Sequence, residues 1–400
     1  MNPGYIPREM ESSVGDAAKE FPVLVVTGPR QTGKSTLLTH LFPKHPRFDL
    51  ENTTLRSLAR KDPGLFLETV GSNGGIIDEI QYAPGLLSAI KEEVDKDRRR
   101  VGRFFLSGSQ VFPLMEGLSQ SLAGRAALFE LLGFSWAELA PGGNPLSLKH
   151  TFDSIHRGFF PDPALRVSPT RYYAGYVAAY LERDIRQVQN VQDLGLFQSF
   201  LELLAARVGS PLNLNEISRL AGVSFTNARR WLSLLETTRL VFLLPSYSRN
   251  VTKRVVKSPK IYFTDTGLLA YLLKYPDGLT LQNGPLAGPF FENMMVMEVL
   301  KKKFNTGASY ALSYYRDSGG NEVDLILDSG RDTLLLEFKL AKTPRSESAS
   351  VFERLDGPLA NGKSFVLSFW DQKTALSRRT QSLPWWKIND VISAFSPHKT

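Results

Sequence analysis

The 400-residue chain contains no cysteine. That absence excludes disulfides, thiolate zinc sites and cysteine nucleophiles together. Long apolar runs are missing as well: nothing approaches the roughly eighteen residues that a membrane-spanning helix requires. The opening MNPGYIPREMESSVGD has no basic start followed by an apolar stretch. No signal peptide is therefore expected, and the expected compartment is the cytoplasm, without membrane association. Acids are scarce in one place. Between Ala205 and Ala270, ten Lys or Arg stand against three Asp or Glu, a local net of +7 in a chain whose formal total is +8. Such a concentration suits a polyanionic partner, although solvated basic surfaces without a ligand are common. The remaining composition, 42% hydrophobic and 22% charged, is ordinary for globular protein, and the length suggests two to four domains.

The strongest positive signal is FPVLVVTGPRQTGKSTLL. An apolar strand, Val23 to Val26, runs into Gly28, Pro29, Arg30, Gln31, Thr32, Gly33, Lys34 and Ser35, and a helical run starts at Thr36. This fits G-x-x-x-x-G-K-S/T in the strand–loop–helix setting that a P-loop needs. The glycines let backbone N–H groups curl around a β-phosphate, and the helix N-terminus adds its dipole. Lys34 would reach the β- and γ-phosphates of ATP, and the Ser35 hydroxyl would coordinate Mg²⁺.

A second strand, GGIIDEIQ, ends in Asp78 and Glu79. Asp78 suits a direct or water-mediated Mg²⁺ contact, and Glu79 suits the base that polarises the attacking water. A third, RFFLSGSQ, ends in small polar residues, where Ser109 or Gln110 could sense the γ-phosphate. LAGRAALFEL offers Arg125 in an expected helical stretch, either an arginine finger acting on a neighbour's ATP or a solvated helix arginine.

From Phe134 to Thr170 the chain is rich in Pro and Gly, which reads as a lid or linker, and a long helix follows in TRYYAGYVAAYLERDIRQV. LNLNEISRLAGVSFTNARRWLSLLETTRLV then has the layout of a helix-turn-helix. A short helix, Glu216 to Leu220, meets a turn in which Gly222 supplies the tight bend. A second helix, Phe225 to Glu236, buries Ala228, Trp231, Leu232 and Leu235 at helical spacing and exposes Asn227, Arg229, Arg230 and Ser233. Two strands around a basic tip with Arg249, Lys253, Arg254, Lys257 and Lys260 complete a winged helix. Contact with DNA phosphates through Arg229, Arg230, Lys253, Arg254 and Lys257 is one reading; a rigid spacer or subunit contact is the other.

Near the end, NEVDLILDSGRDTLLLEFKLAK reads as a hairpin with three charges on strands that ought to be buried. A symmetric turn at Ser329 to Asp332 sets Asp324 opposite Glu337, and Lys339 shares the face of Glu337. Two carboxylates that close favour a divalent cation, held by Asp324 and Glu337, and a lysine beside them can position metal-bound water. Glu292, on the helix GPFFENMMVMEVLKKKF, could aim at the same place. A plain salt bridge on a solvated sheet face accounts for the spacing equally well.

The P-loop, IIDEIQ, LSGS, LAGR, YLERDIR, the winged helix, YFTDTGL, GPFFEN and EVDLI…LLEFK follow one another in an order that resembles a known family. Over about Glu20 to Trp385, the chain is similar to prokaryotic AAA-superfamily ATPases with a C-terminal domain of unknown function that looks like a PD-(D/E)xK fold. The resemblance implies an α/β multidomain protein. A P-loop AAA-type domain with a parallel sheet would span 1–140, a lid or helical linker 141–200, a winged helix 201–275 and a restriction-endonuclease-like α/β domain 280–395. It further implies ATP hydrolysis with Mg²⁺ in a ring-like homo-oligomer, a hexamer, with Gly28 to Thr36, Asp78 and Glu79 at the nucleotide. Asp324, Glu337 and Lys339 would stand at the nuclease motif, joined by Glu292 from the helix. The expected function is that of a DNA-processing ATPase acting on duplex or branched DNA, with metal-dependent nuclease activity as an addition. The rival class is a nucleotide-operated regulatory switch that binds DNA or a protein without processing it.

Overall fold

Val23–Thr27 (β1), Gly75–Asp78 (β3) and Phe104–Ser107 (β4) are apolar at almost every position, the pattern of strands covered on both faces. In the computed structural model, which describes residues 4–108, 121–141, 147–180, 194–248, 258–355 and 357–395, they join Arg47–Asp49 (β2) and Ala126–Glu130 (β5). The resulting sheet is parallel throughout, in the order β2-β3-β4-β1-β5. Alternate side chains serve opposite faces. Val23, Val25, Ile77 and Leu106 pack with Phe66, Leu86 and Ile90, whereas Leu24, Val26, Ile76 and Phe105 pack with Met10, Leu37 and Leu38. A sheet of this kind brings the carboxyl ends of its strands to one edge, where ligands of open α/β sheets bind.

The chain divides into two compact units. The first comprises Met1–Phe134, Thr237–Arg239 and Phe304–Gly307; the second comprises Ser135–Glu236, Leu240–Lys303 and Ala308–Thr400. No helix among the described residues is long and apolar enough to cross a membrane.

In the second unit, the Pro- and Gly-rich stretch expected as a lid or linker contains helices at Leu148–Arg157 and Pro161–Leu165, and the long helix expected after it is described over Pro169–Tyr180. Proline does not prevent them, because Pro161 opens the first turn, where the missing N–H has no intrahelical partner to lose. The helix-turn-helix segment forms Leu214–Leu220, capped by the Asn213 side chain, and Phe225–Thr237. Between them Gly222 takes φ of +69°, a left-handed bend that a side chain would strain. Val241–Leu244 (β6) and Lys260–Phe263 (β7) then pair antiparallel.

The remaining strands are Ala311–Arg316 (β8), Glu322–Asp328 (β9), Thr333–Phe338 (β10), Lys363–Ser368 (β11), Thr374–Ala375 (β12) and Thr380–Pro384 (β13). They build a mixed sheet in the order β12-β13-β11-β10-β9-β8. The β9–β10 hairpin pairs Asp328 with Thr333 and Leu325 with Leu336. This is the register of the symmetric Ser329–Asp332 turn.

One buried carboxylate organises the middle of this unit. Asp265 is 2% exposed and caps the helix Thr266–Leu272 through the Leu268 N–H at 2.9 Å. It also accepts the Tyr173 hydroxyl at 2.6 Å and the N–H groups of Phe159 and Phe160 at 2.7 and 3.2 Å. Removing it would strand these donors away from water. Asp265→Ala is expected to lower the unfolding free energy by about 3 kcal/mol or more, read from the urea midpoint of the transition that includes this unit. An unchanged midpoint would contradict the role assigned to it.

Candidate functional site

At the carboxyl end of β1 the chain turns through Gly28 with φ of +140°, and a Cβ placed there would lie 2.2 Å from the Leu131 carbonyl oxygen. Only glycine fits such an approach. Gly33, also left-handed, is the N-cap of the helix Lys34–Leu41. Gln31 takes φ of +62°, and the Thr32 hydroxyl closes the loop onto the Pro29 carbonyl at 3.1 Å. Lys34 is 5% exposed, and its ammonium donates to the carbonyls of Gly28 at 3.2 Å and Pro29 at 2.7 Å. Burial pulls its pKa down to about 8, against the opposing pull of Glu79 and Asp78. Arg30 adds to the lowering. Ser35 and Thr36 follow on the first helical turn, Thr36 exposed.

The adjacent strand ends supply the acids. Asp78 closes β3 beside Ser107 at the end of β4. Its Oδ1 accepts the hydroxyls of Ser107 and, at 2.7 Å, Ser35; its Oδ2 accepts Arg47 at 2.6 Å. Burial would raise this carboxyl, but the three donors outweigh it and hold it below the usual range. Glu79, the next residue, takes a left-handed φ of +57° and accepts the Gln81 amide. Burial raises its pKa, although Lys34 opposes the shift.

Arg8 is a residue that sequence reasoning missed. It is 6% exposed, and its guanidinium donates to the Thr32 carbonyl at 2.9 Å and to the carbonyls of Leu132 and Gly133 at 2.8 and 3.2 Å. It thereby ties the phosphate loop to the chain leaving β5. Arg47, on Asp78, was missed for the same reason: no motif spacing links either arginine to the P-loop. Arg125 corrects an expectation. It lies in the turn before β5 rather than in a helix, and it forks onto Asp95 at 2.8 and 2.9 Å. Those hydrogen bonds pull Asp95 down to about 2. Ser109 and Gln110 lie outside the described residues.

In the second unit, the helix Phe225–Thr237 buries Ala228, Trp231, Leu232, Leu234 and Leu235, and it exposes Asn227, Arg229, Arg230 and Ser233. Arg249, Lys253, Arg254 and Lys257 lie outside the described residues. Lys260, expected on the same basic tip, is instead buried at the start of β7.

The C-terminal charges come together. Asp324 and Glu337 are 8% and 7% exposed, so the cluster is not on a solvated face. Asp324 Oδ2 accepts the Phe338 N–H at 2.8 Å, and Lys339 donates to Glu337 Oε1 at 2.6 Å. Burial, reinforced by Glu292 and Glu337, raises Asp324 well above the ordinary carboxylate range, and burial raises Glu337 too. Glu292 Oε1 accepts Lys260 at 2.8 Å and the Tyr262 hydroxyl at 2.5 Å. Among the described residues, no group of three or more His, Asp or Glu is arranged to hold a metal ion. Glu337 Oε2, however, is buried without a hydrogen-bond partner, which suits a cation held by Asp324 and Glu337.

The depressed lysine makes nucleotide binding a proton-linked event. With Lys34 near 8, phosphate oxygens that favour the ammonium would raise it, so binding takes up a proton above that pH and weakens as pH rises further. Calorimetry of ATP binding at pH 9 in buffers of differing ionisation heat should register uptake on the order of one proton. No uptake there would show that Lys34 does not meet the phosphates.

Residues 20–140 match the model of an AAA domain, and residues 148–278 and 287–388 match two domains of unknown function, DUF8612 and DUF4143. Among solved structures, the Walker-type ATPase PABY2304 of Pyrococcus abyssi is 13% identical, with a TM-score of 0.44 over 68% of this chain and 97% of that one. AMPPCP-bound DnaA from Aquifex aeolicus is 12% identical, with a TM-score of 0.27 over 57% and 85%. The uncharacterized protein Rv2008c of Mycobacterium tuberculosis is 32% identical over 345 residues, which cover 84% of this chain and 74% of that protein; Mb2031c of Mycobacterium bovis matches to the same extent. With this identity over most of both chains, the protein belongs to the same family as the two mycobacterial proteins, and its N-terminal unit carries an AAA-type ATPase domain.

Proposed function

We propose that the protein is an ATP-driven, DNA-acting machine that assembles as a ring-like homo-oligomer, a hexamer, in the cytoplasm. The observation that carries the ATP reading is the 2.7 Å hydrogen bond from Ser35 to Asp78, next to the buried Lys34. Those two oxygens are the pair that would hold Mg²⁺ beside a triphosphate lying on Gly28 to Thr36. Glu79 is the base for the attacking water: its raised pKa keeps it a better proton acceptor than its neighbour Asp78. Arg125 could serve a neighbouring subunit only by releasing Asp95, and Ser109 remains the proposed γ-phosphate sensor.

The DNA reading rests on charge and exposure. Arg229 and Arg230 lie exposed on the second helix of the helix-turn-helix, and β6 and β7 supply the stems of a wing whose tip would add Lys253, Arg254 and Lys257. We read 201–275 as a winged helix, 141–200 as its linker from the ATPase domain of 1–140, and 280–395 as a PD-(D/E)xK nuclease-like domain. In that domain Asp324 and Glu337 would hold Mg²⁺ and Lys339 would position its water. A second reading is that this centre supports DNA or protein binding under nucleotide control without cutting. Among the described residues no group of three acids is arranged for a metal, and Glu292 is bound to Lys260, which favours this second reading.

Two measurements test the proposal. Glu79→Gln is expected to keep ATP binding and lower turnover by about 10²–10⁴-fold in a steady-state assay. Turnover at the parental rate would reassign the base. Arg229→Gln with Arg230→Gln should make the slope of log affinity for duplex or branched DNA against log salt shallower by about 2, because two fewer phosphates are neutralised. An unchanged slope would move this helix to a protein-contact role.

A further inference from the structure

Lys260 is the most deeply buried cation of the C-terminal centre, at 1% exposure. Its ammonium lies 2.8 Å from Glu292 Oε1 and 2.5 Å from Glu322 Oε1, with the Tyr314 ring 5.5 Å away. Tyr262, two positions on and therefore on the same face of β7, donates to the same Glu292 oxygen at 2.5 Å. Glu292 thus gives one oxygen, Oε1, to two donors from β7. Arg316 lies 3.6 Å from the other Glu322 oxygen. Among the described residues, the carboxyl groups of Glu292, Glu322, Asp324 and Glu337 thus lie near the cations of Lys260, Arg316 and Lys339. Within this cluster Glu337 Oε2 lies buried without a donor among the described residues.

We propose that Lys260 is a resident counter-cation of this centre, which holds Glu292 and Glu322 away from metal ligation and leaves room for a single divalent cation at Asp324 and Glu337. The proposal rests on the reading of Asp324 and Glu337 as a cation site and adds what limits that site. A sealed ammonium cannot swing into water to make way for an ion, and removing it would leave Glu292 buried and uncompensated. A divalent ion brought against it would be repelled in a poorly screened setting. Glu292 therefore acts as a partner of the lysine and not as a metal ligand.

The test is Mn²⁺ binding to the full chain without nucleotide, followed by the electron paramagnetic resonance of free Mn²⁺. Binding lost on Asp324→Asn with Glu337→Gln identifies the ion at this centre and separates it from any ion held elsewhere. Wild type is expected to bind one such ion. Lys260→Met, which unmasks two carboxylates, should bind Mn²⁺ there at least tenfold more tightly, and Mn²⁺ should restore a melting temperature that is lowered in EDTA. Glu292→Gln, the variant less prone to misfold, should keep the wild-type ion. An ion that Glu292→Gln abolishes, or an affinity that Lys260→Met leaves unchanged, overturns the role of Lys260 while the cation site stands. Failure of wild type and every variant to bind Mn²⁺ at Asp324 and Glu337 overturns the cation site, and the proposal with it.

Discussion

A charge taken out of water must be met by another charge or by hydrogen bonds, and both candidate centres are built around that requirement. Lys34 meets it with loop carbonyls, Asp78 with two serines and an arginine, and Lys260 with two glutamates. The same rule operates away from any site: Glu298 and Lys301, 1% and 2% exposed, pair at 2.8 Å, and the Trp136 N–H closes onto the remaining Glu298 oxygen. Deleting one partner of such a set is more damaging than the pair is stabilising, because the survivor is left buried and alone. The positions of these residues are therefore constrained in groups, and the groups draw on distant parts of the chain.

Adjacent acids show how finely the surroundings divide similar chemistry. Asp78 and Glu79 are neighbours at the end of β3, yet one is held below the usual carboxylate range and the other is raised above it. Asp78 continues the strand and meets three donors. Glu79 leaves the strand through a left-handed backbone conformation that a non-glycine residue adopts only when its surroundings enforce it. Pushing two carboxyls apart in this way suits the proposed division between a cation ligand and a proton acceptor. The C-terminal centre has no such separation: Asp324 and Glu337 are raised together, and what divides the acids there is which of them a buried lysine has claimed.

Much of this was legible in the chain itself. The P-loop, the apolar strands that flank it and the turn at Gly222 are local patterns, with causes a few residues apart. The β9–β10 register, from Asp328 opposite Thr333 to Leu325 opposite Leu336, followed from turn symmetry and the two-residue period of a strand. The buried positions of the helix Phe225–Thr237 followed from its helical period, with Leu234 the one addition. Arg125 failed as a helical residue because an Ala- and Leu-rich run reads the same for a short strand as for a helix, and pairing with β1 decided between them.

The sequence by itself determined the strand and helix around the phosphate loop, the two helices that flank Gly222 and which acids share a hairpin. Only the tertiary structure decided which charges answer one another. Arg8 reaches carbonyls 124 and 125 residues away, Arg47 reaches Asp78 across 31, and Lys260 reaches Glu292 across 32. A lysine in a basic run reads as solvated surface until a neighbouring element buries it. Periodicity reports the environment along one element, whereas desolvation depends on what packs against it from elsewhere in the chain.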